Sequence, residues 1–151
     1  MKERLEEDLK AAMRAKDTLR RDTLRFVLSA VHNEEVARMR AELTDADVQD
    51  VLQKQAKMRR DSIDAFKKGD RPELVAKEEA ELALIQAYLP QQLTEAEVRA
   101  VVARVIDETG AAGPRDMSKV MPKVVAETKD RADGKTVAAL VQALLKERVG
   151  T

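Results

Sequence analysis

The chain has 151 residues, of which 37% are charged and 44% hydrophobic, and its 28 basic residues balance its 28 acidic residues. This length suits one domain or two small ones, and a net charge of zero excludes a global electrostatic field that would attract nucleic acid. The absence of cysteine excludes disulfides, zinc–thiolate sites and thiol nucleophiles. With only 5 Gly and 4 Pro residues, the sequence predicts long helices with few connections, and therefore an all-α fold.

The compartment is predicted from what the sequence lacks. No apolar run is long enough to cross a membrane, and the acid-rich start MKERLEEDLKAAM is unlike a secretory signal or a transit peptide. A chain without cysteine fits a reducing compartment. We therefore expect a cytoplasmic protein with no membrane partner.

Residues 1–90 are predicted to form an N-terminal helical domain of about four long antiparallel helices. The first helix ends near Lys16, and the second runs from Asp17 to about Glu42. Local signals mark the starts of the third and fourth helices. Thr44-x-x-Asp resembles a capping box at the start of the third, and Pro72 suits the first turn of the fourth. Gly69 separates these two helices, and the turn at 90–93 is the predicted domain boundary.

Residues 94–151 are predicted to form a small bundle of three helices, each with one apolar stripe. Thr94 and Glu97 match the capping box S/T-x-x-E, and Asp133 is placed to cap the last helix. Pro122 falls inside the middle helix, so we expect a kink or a restart there. The stripes comprise Val98, Val101, Val102, Val105 and Ile106; Met117, Val120, Met121, Val124 and Val125; and Val137, Leu140, Val141, Leu144 and Leu145.

Chemistry concentrates between residues 115 and 135, where basic residues stand beside the apolar stripe of the middle helix. Six basic residues face four acidic ones in this segment. Cations near the start of a helix are unfavourably placed unless an anion joins them, and phosphate is the common biological anion. The segment is either a phosphate-binding surface or an ordinary solvated face with its own acidic partners. The candidate nucleic-acid-binding residues are Arg115, Lys119, Lys123, Lys129, Arg131 and Lys135.

Other candidate sites are weaker. His32 is the only histidine, lies mid-helix without partners, and is interpreted as a partly buried structural residue. Phe26 and Phe66 occupy core-facing positions, which argues against base stacking. No catalytic residue, metal site or cofactor is predicted. A second basic cluster in the third helix is either an RNA surface or a solvated helix, and comprises Lys54, Lys57, Arg59, Arg60, Lys67, Lys68 and Arg71.

The chain resembles the GatB/YqeY family over nearly its whole length. The resemblance rests on DMSKVMPKVVAETKDRADGKTVAALVQALL, on YLPQQLTEAEV, and upstream on RRDTLRFVLSAVHNEEV and LQKQAKMRRDSIDAFKKGDRPELVAKEEAEL. It is closest in form to the stand-alone YqeY-like proteins, and residues 94–151 resemble the C-terminal tail of the B subunit of glutamine-dependent tRNA amidotransferases. That tail is implicated in tRNA binding, while domains absent here perform the amidation. Ser118 and Pro122 stand where the family pattern often has Gly.

Three functions follow from these observations. The first is a non-catalytic tRNA-binding accessory module, implied by the resemblance and by the basic segment. The second is a part in carbon–nitrogen ligation with glutamine as amido donor, which would need partner subunits such as amidotransferase or aminoacyl-tRNA-related proteins. The third is a helical protein–protein adaptor. We favour the first and expect no enzymatic activity from the chain alone.

Overall fold

A computed structural model describes residues 1–149, which form seven α-helices and no β-strand. The prediction of an all-α fold is therefore confirmed. A short 3₁₀ turn, Pro114–Asp116, precedes the sixth helix. The helices are α1 (Lys2–Arg14), α2 (Thr18–Ala37), α3 (Asp45–Lys68), α4 (Pro72–Gln86), α5 (Glu95–Thr109), α6 (Met117–Thr128) and α7 (Gly134–Val149).

The chain divides into two compact units, Met1–Leu89 and a second unit that starts at Pro90. In the first unit, α3 packs along α4 and α1 along α2, and α2 also contacts α3 and α4. In the second unit, α5, α6 and α7 pack against one another in all three pairs. Each unit has its own cluster of buried apolar side chains, because no amphipathic helix can bury its stripe alone.

Three helices begin where the sequence predicts a start, and each start is capped by a side chain. The Asp17 carboxylate accepts a hydrogen bond from the backbone amide three residues later, at 3.2 Å. At Thr44 both halves of the capping box form: its hydroxyl accepts from the Asp47 amide, and the Asp47 carboxylate accepts from the Thr44 amide. Thr94 accepts from the Glu97 amide at 3.1 Å, and the reciprocal half is absent among the described residues. Local polar signals thus fix these starts.

Helix α2 ends at Ala37, earlier than the predicted Glu42. The chain turns through Met39 and Arg40, whose φ angles are 58° and 63°, a left-handed conformation that is unusual for residues other than Gly. Arg38 links the two sides of this turn, since its guanidinium lies 2.8 Å from a carboxylate on α2 and 2.9 Å from one on α3. The packing of α3 against α2 therefore overrides the helical propensity of these residues.

Helix α4 ends at Gln86, before the turn that begins at Pro90. The chain after the helix carries Tyr88 into the interior, where 8% of its surface is exposed. The Tyr88 hydroxyl donates to the Asp8 carboxylate, and the Arg4 guanidinium lies 4.7 Å from the ring centroid. Burial, followed by the hydrogen bond to Asp8, raises the pKa of Tyr88 to about 12.

Helix α6 continues without interruption through Pro122, so the helix does not restart there. Both Pro122 and Ser118, whose carbonyl loses its helical partner, lie at the exposed surface where water can replace that hydrogen bond. A bend in the helix axis remains a prediction. Val120 and Val124 are fully buried as expected, but Val125 is 44% exposed, so its assignment to the buried stripe was wrong.

The predictions for Phe26 and His32 were wrong. Phe26 is 51% exposed, and His32 lies at the surface. The position of Arg59 accounts for the exposure of Phe26. Arg59 is only 8% exposed, and its guanidinium lies 5.1 Å from the Phe26 ring centroid, so Arg59 occupies the interior position. Arg59 Nε is 3.1 Å from a carboxylate oxygen of Glu81 and 3.8 Å from one of Glu78. We call these three charged side chains the buried ion cluster, in which Arg59 is buried and the two glutamates are partly buried.

Within residues 1–149, the helices are each too short or too polar to span a lipid bilayer. The same residues hold no group of three or more histidine or acidic side chains arranged to bind a metal ion.

Candidate nucleic-acid interface

The six candidate basic residues lie in three consecutive pieces of the second unit, and all six are exposed. Helix α6 has 12 residues and is therefore about 18 Å long, and the six fall into one group that reaches from before the helix to its middle and a second group beyond its end. The first group lies on the 3₁₀ turn and on α6, and comprises Arg115, Lys119 and Lys123. The second group follows the end of α6 and reaches the first turn of α7, and comprises Lys129, Arg131 and Lys135.

The first group faces water because of the helical period. Val120 and Val124 point into the core, and Lys119 and Lys123 each lie one position before them, on a neighbouring exposed face. Residues four apart on a helix are neighbours, so these two ammonium groups form one positive strip. The strip requires no special backbone geometry.

The start of α6 carries a negative charge that partly offsets this strip. The Asp116 carboxylate accepts from the Ala112 amide at 2.8 Å, and this hydrogen bond lowers the pKa of the Asp116 carboxyl below its ordinary value. Lys119 Nζ lies 3.6 Å from the same carboxylate. Because Lys119 is well exposed, this ion pair is weak and leaves the lysine available to an external anion.

A tight turn positions the second group. The buried Thr128 ends α6, and its carbonyl accepts the amides of Arg131 and Ala132 at 2.9 and 3.1 Å. Asp130, which lies between Thr128 and Arg131 in the sequence, has a φ of 64°. This turn brings Arg131 back beside the end of α6 instead of leading the chain away from it.

The segment Pro90–Leu93 holds that turn from the other side. The Leu93 amide donates to the Arg131 carbonyl at 2.8 Å, and Arg131 Nε donates to the Gln91 carbonyl at 3.1 Å. Gln92 Nε2 donates to the carbonyls of Pro90 and Asp130, at 2.9 and 3.0 Å. We call Pro90–Leu93 the strap. Sequence reasoning treated these residues only as a domain boundary, because a bond between residues about forty positions apart leaves no local signal.

The start of α7 confirms the predicted position of Asp133. The residue immediately precedes the helix, and its carbonyl accepts the Val137 amide at 3.0 Å, as an N-cap carbonyl does. Its carboxylate lies 3.4 Å from the Thr136 hydroxyl, which donates to it. This acid supplies part of the negative charge that the helix start favours.

A third acidic residue of the segment, Glu127, is already paired elsewhere. The Glu127 carboxylate accepts from a terminal nitrogen of Arg104, which also pairs with Glu108 at 2.9 Å. Within residues 1–149, Arg115, Lys123 and Lys129 make no side-chain hydrogen bond or ion pair. The positive charge of these residues is therefore available at the surface.

The alternative basic cluster in α3 loses one member to the interior. Arg59 belongs to the buried ion cluster, where carboxylates of α4 surround it. Lys54, Lys57, Lys67 and Lys68 are exposed. The same helix thus carries four exposed lysines and one buried arginine, a difference that the run of basic letters in the sequence does not reveal.

Comparison with known proteins gives one family and a set of fungal relatives. A family model described as Yqey-like protein matches residues 2–145. Proteins named "Altered inheritance of mitochondria protein 41, mitochondrial" are 34% identical over 149 residues in Lachancea thermotolerans and 38% identical over 113 residues in Kluyveromyces lactis. These matches cover 97% and 73% of this chain, and 80% and 60% of the relatives.

A further relative of the same name, from Eremothecium gossypii, is 41% identical over 85 residues, which is 56% of this chain and 46% of the relative. The chain thus spans about half to four fifths of the length of the relatives it matches.

The expectation of a cytoplasmic location was wrong. The relatives are named as mitochondrial proteins and point to that organelle instead. The error has a physical cause, because composition, helicity and a lack of cysteine suit any aqueous compartment without oxidative folding and do not separate one such compartment from another.

Proposed function

Because this chain belongs to the Yqey-like protein family, we propose that it is a non-catalytic tRNA-binding accessory module whose second unit contacts the RNA. The observation that carries the proposal is the pair of exposed basic groups on and after α6, in which three side chains have no acidic partner within residues 1–149. The resemblance of residues 94–151 to the tail of the tRNA amidotransferase B subunit supplies the class of ligand.

Binding of this kind reads the shape and the phosphates of a folded RNA. A side-chain stacking platform is not expected, because the chain has only three aromatic residues and Tyr88 is buried. With zero net charge the chain has no long-range attraction for RNA, so affinity comes from local ion contacts and falls as salt rises.

The test is a titration of labelled bulk tRNA with the full chain at about 50 and 200 mM salt, the range over which phosphate contacts lose most affinity. Beside the wild type we would measure a variant with Lys119→Ala, Lys123→Ala, Lys129→Ala and Arg131→Ala. The expected result is salt-sensitive binding by the wild type, and a loss of about tenfold or more in the variant with a shallower salt dependence.

The matched control removes the same charge from the first unit. Lys54→Ala, Lys57→Ala, Lys67→Ala and Lys68→Ala change four exposed lysines of α3, so both variants carry a net charge of −4. If the control binds as the wild type does, the site lies in the second unit. Equal losses in both variants would show that affinity follows net charge alone, and no binding by the wild type at low salt would reject the function.

A helical protein–protein adaptor is the second candidate, and one observation favours it. Phe26 and Met58 are each 51% exposed in the first unit, where large apolar side chains are costly to leave in water. This candidate becomes the leading one if the wild type binds no tRNA. A part in carbon–nitrogen ligation is an implication of the resemblance alone and needs partner subunits.

A further inference from the structure

The strap and the basic turn form one hydrogen-bonded unit. Three hydrogen bonds join Pro90–Leu93 to residues 130 and 131, and a fourth lies within the strap. Their lengths run from 2.8 to 3.1 Å. They come from a backbone amide, a side-chain amide and a guanidinium. The turn is therefore fixed by contacts that do not depend on the RNA.

Gln92 is the centre of this unit. Its side-chain amide has two N–H groups, and both are used: one donates to the Pro90 carbonyl and the other to the Asp130 carbonyl. Asp130 has the left-handed φ of 64°, which costs free energy for any residue with a Cβ atom. The bond from Gln92 compensates for that cost and holds the following peptide in place.

Arg131 is anchored by one nitrogen and leaves the others for a ligand. Its Nε donates to the Gln91 carbonyl at 3.1 Å, and the Arg131 side chain makes no other hydrogen bond or ion pair within residues 1–149. The guanidinium has four further N–H groups on its two terminal nitrogens, and the side chain is exposed. Two parallel N–H groups match two oxygens of a phosphate, a geometry that a lysine ammonium cannot reproduce.

We propose that Arg131 binds an RNA phosphate through both terminal nitrogens and that Gln92 is its positioning residue. This inference rests on the proposed function. The strap fixes the backbone on both sides of Arg131, and the Nε bond fixes the plane of its guanidinium. Fewer rotamers are then lost on binding, so Arg131 contributes more affinity than a mobile arginine would. Lys123 and Lys129 act only as point charges.

The experiment measures the tRNA dissociation constant at low salt for Arg131→Ala, Arg131→Lys, Gln92→Met and the Gln92→Met/Arg131→Ala double variant. Met has nearly the size of Gln but donates no hydrogen bond. We expect Arg131→Ala and Arg131→Lys to weaken binding about tenfold each, although the lysine keeps the charge. Gln92→Met should weaken binding about fivefold in the wild-type background and have no further effect once Arg131 is absent.

The neighbouring residue provides the control. Gln91 contributes its backbone carbonyl, and its own side chain is exposed and makes no bond within residues 1–149. Gln91→Met should therefore bind tRNA as the wild type does. Thermal unfolding followed by circular dichroism shows whether each variant is folded at the temperature of the titration.

The outcomes separate this inference from the proposed function. If the wild type binds tRNA and the variant with four alanines is weaker, the function stands. The inference alone is then overturned if Arg131→Lys or Gln92→Met binds as tightly as the wild type, or if the two losses add in the double variant. If the wild type binds no tRNA, the function and this inference both fail.

Discussion

The first unit carries charge in its interior, whereas the buried side chains of the second unit are aliphatic apart from Thr128. In the first unit Arg59 and Gln55 are 8% and 7% exposed, and the side chains of the two glutamates around Arg59 are partly buried, at 19% and 14% exposure. In the second unit the hydroxyl of Thr128 donates to a carbonyl of its own helix at 2.8 Å, so no buried charge is needed.

This difference shows which charged side chains of each unit are free to contact a partner and which are held in the interior. Buried charges are committed to one another, because separating them leaves an ion without solvent. In the second unit the arginines with acidic partners, such as Arg104, pair at the exposed surface, and the lysines of α6 remain open to a ligand. Within residues 90–149 no charged side chain is fully buried, whereas Arg59 of the first unit is withdrawn from the surface.

The largest expected effect comes from breaking the buried ion cluster. Arg59→Ala leaves Glu78 and Glu81 enclosed without a counter-charge and should lower the free energy of unfolding by about 4 kcal/mol. Urea unfolding followed by Tyr88 fluorescence measures it, since Tyr88 lies in the first unit and the chain has one Tyr and no Trp. If Arg59→Ala lowers the free energy of unfolding by less than about 1 kcal/mol, the two carboxylates are solvated, and the first unit does not hold an ion cluster in its interior.

The control for that experiment removes the whole cluster at once. Replacing a buried ion pair by uncharged groups of similar size is often nearly neutral. The triple variant Arg59→Met/Glu78→Gln/Glu81→Gln should therefore be more stable than Arg59→Ala by itself.

The second effect tests the aliphatic core of the second unit. Leu145 is fully buried, and Leu145→Ala should cost about 3 kcal/mol through lost burial and the cavity left behind. Far-UV circular dichroism during urea unfolding should show the loss, and the adjacent, partly buried Leu144→Ala should cost less. If Leu145→Ala and Arg59→Ala shift dichroism and Tyr88 fluorescence together, the two units unfold as one and the comparison has to be made on the whole chain.

The third effect is a pH dependence confined to the first unit. The pKa of Tyr88 is about 12 in the folded chain and about 10 in an unfolded one, so the folded state holds this proton more tightly. Stability from this group is complete below about pH 10 and is lost as the pH rises through about 12. Absorbance at the tyrosinate band reports Tyr88 alone and should show a midpoint near 12 without urea and near 10 with it.

Asp8→Ala separates the two causes of that shift. Because burial is the larger cause, the midpoint should fall when the hydrogen bond is removed but stay above 10. A midpoint near 10 in the wild type would show that Tyr88 is hydrated.

The smallest effect concerns the start of α5 in the second unit. Thr94→Ala removes the hydroxyl that accepts the Glu97 amide and should cost about 1 kcal/mol in far-UV dichroism during urea unfolding. Thr94→Ser keeps the acceptor and should restore most of that loss. If Thr94→Ser is as unstable as Thr94→Ala, the hydroxyl is not what stabilises this helix start.

The sequence predicted what is decided locally. Helix starts at Asp17, Thr44 and Thr94 depend on a side chain and an amide three residues away, so the pattern is visible in the letters. The ends of α2 and α4 depend on the tertiary contacts of the residues that follow each helix. Met39 adopts a left-handed angle and Tyr88 enters a core formed by distant residues, and neither event has a short-range signal.

The candidate site divides in the same way. The exposure of Lys119 and Lys123 follows from helical spacing and was predictable. The strap joins residues about forty positions apart, so Gln92 could not be recognised as part of the site. Arg59 was assigned to a possible surface. Sequence alone does not show that α4 places two carboxylates beside Arg59, or that Arg59 rather than Phe26 is buried.

The strap also determines where the second unit can be cut. By the helix pattern the unit starts at Thr94, yet the hydrogen bonds that shape the basic turn come from the residues before it. A fragment, a fusion or a graft that begins at Thr94 would keep α5, α6 and α7 but lose the donors and acceptors that orient Arg131. The portable segment therefore begins at Pro90, before its first helical residue.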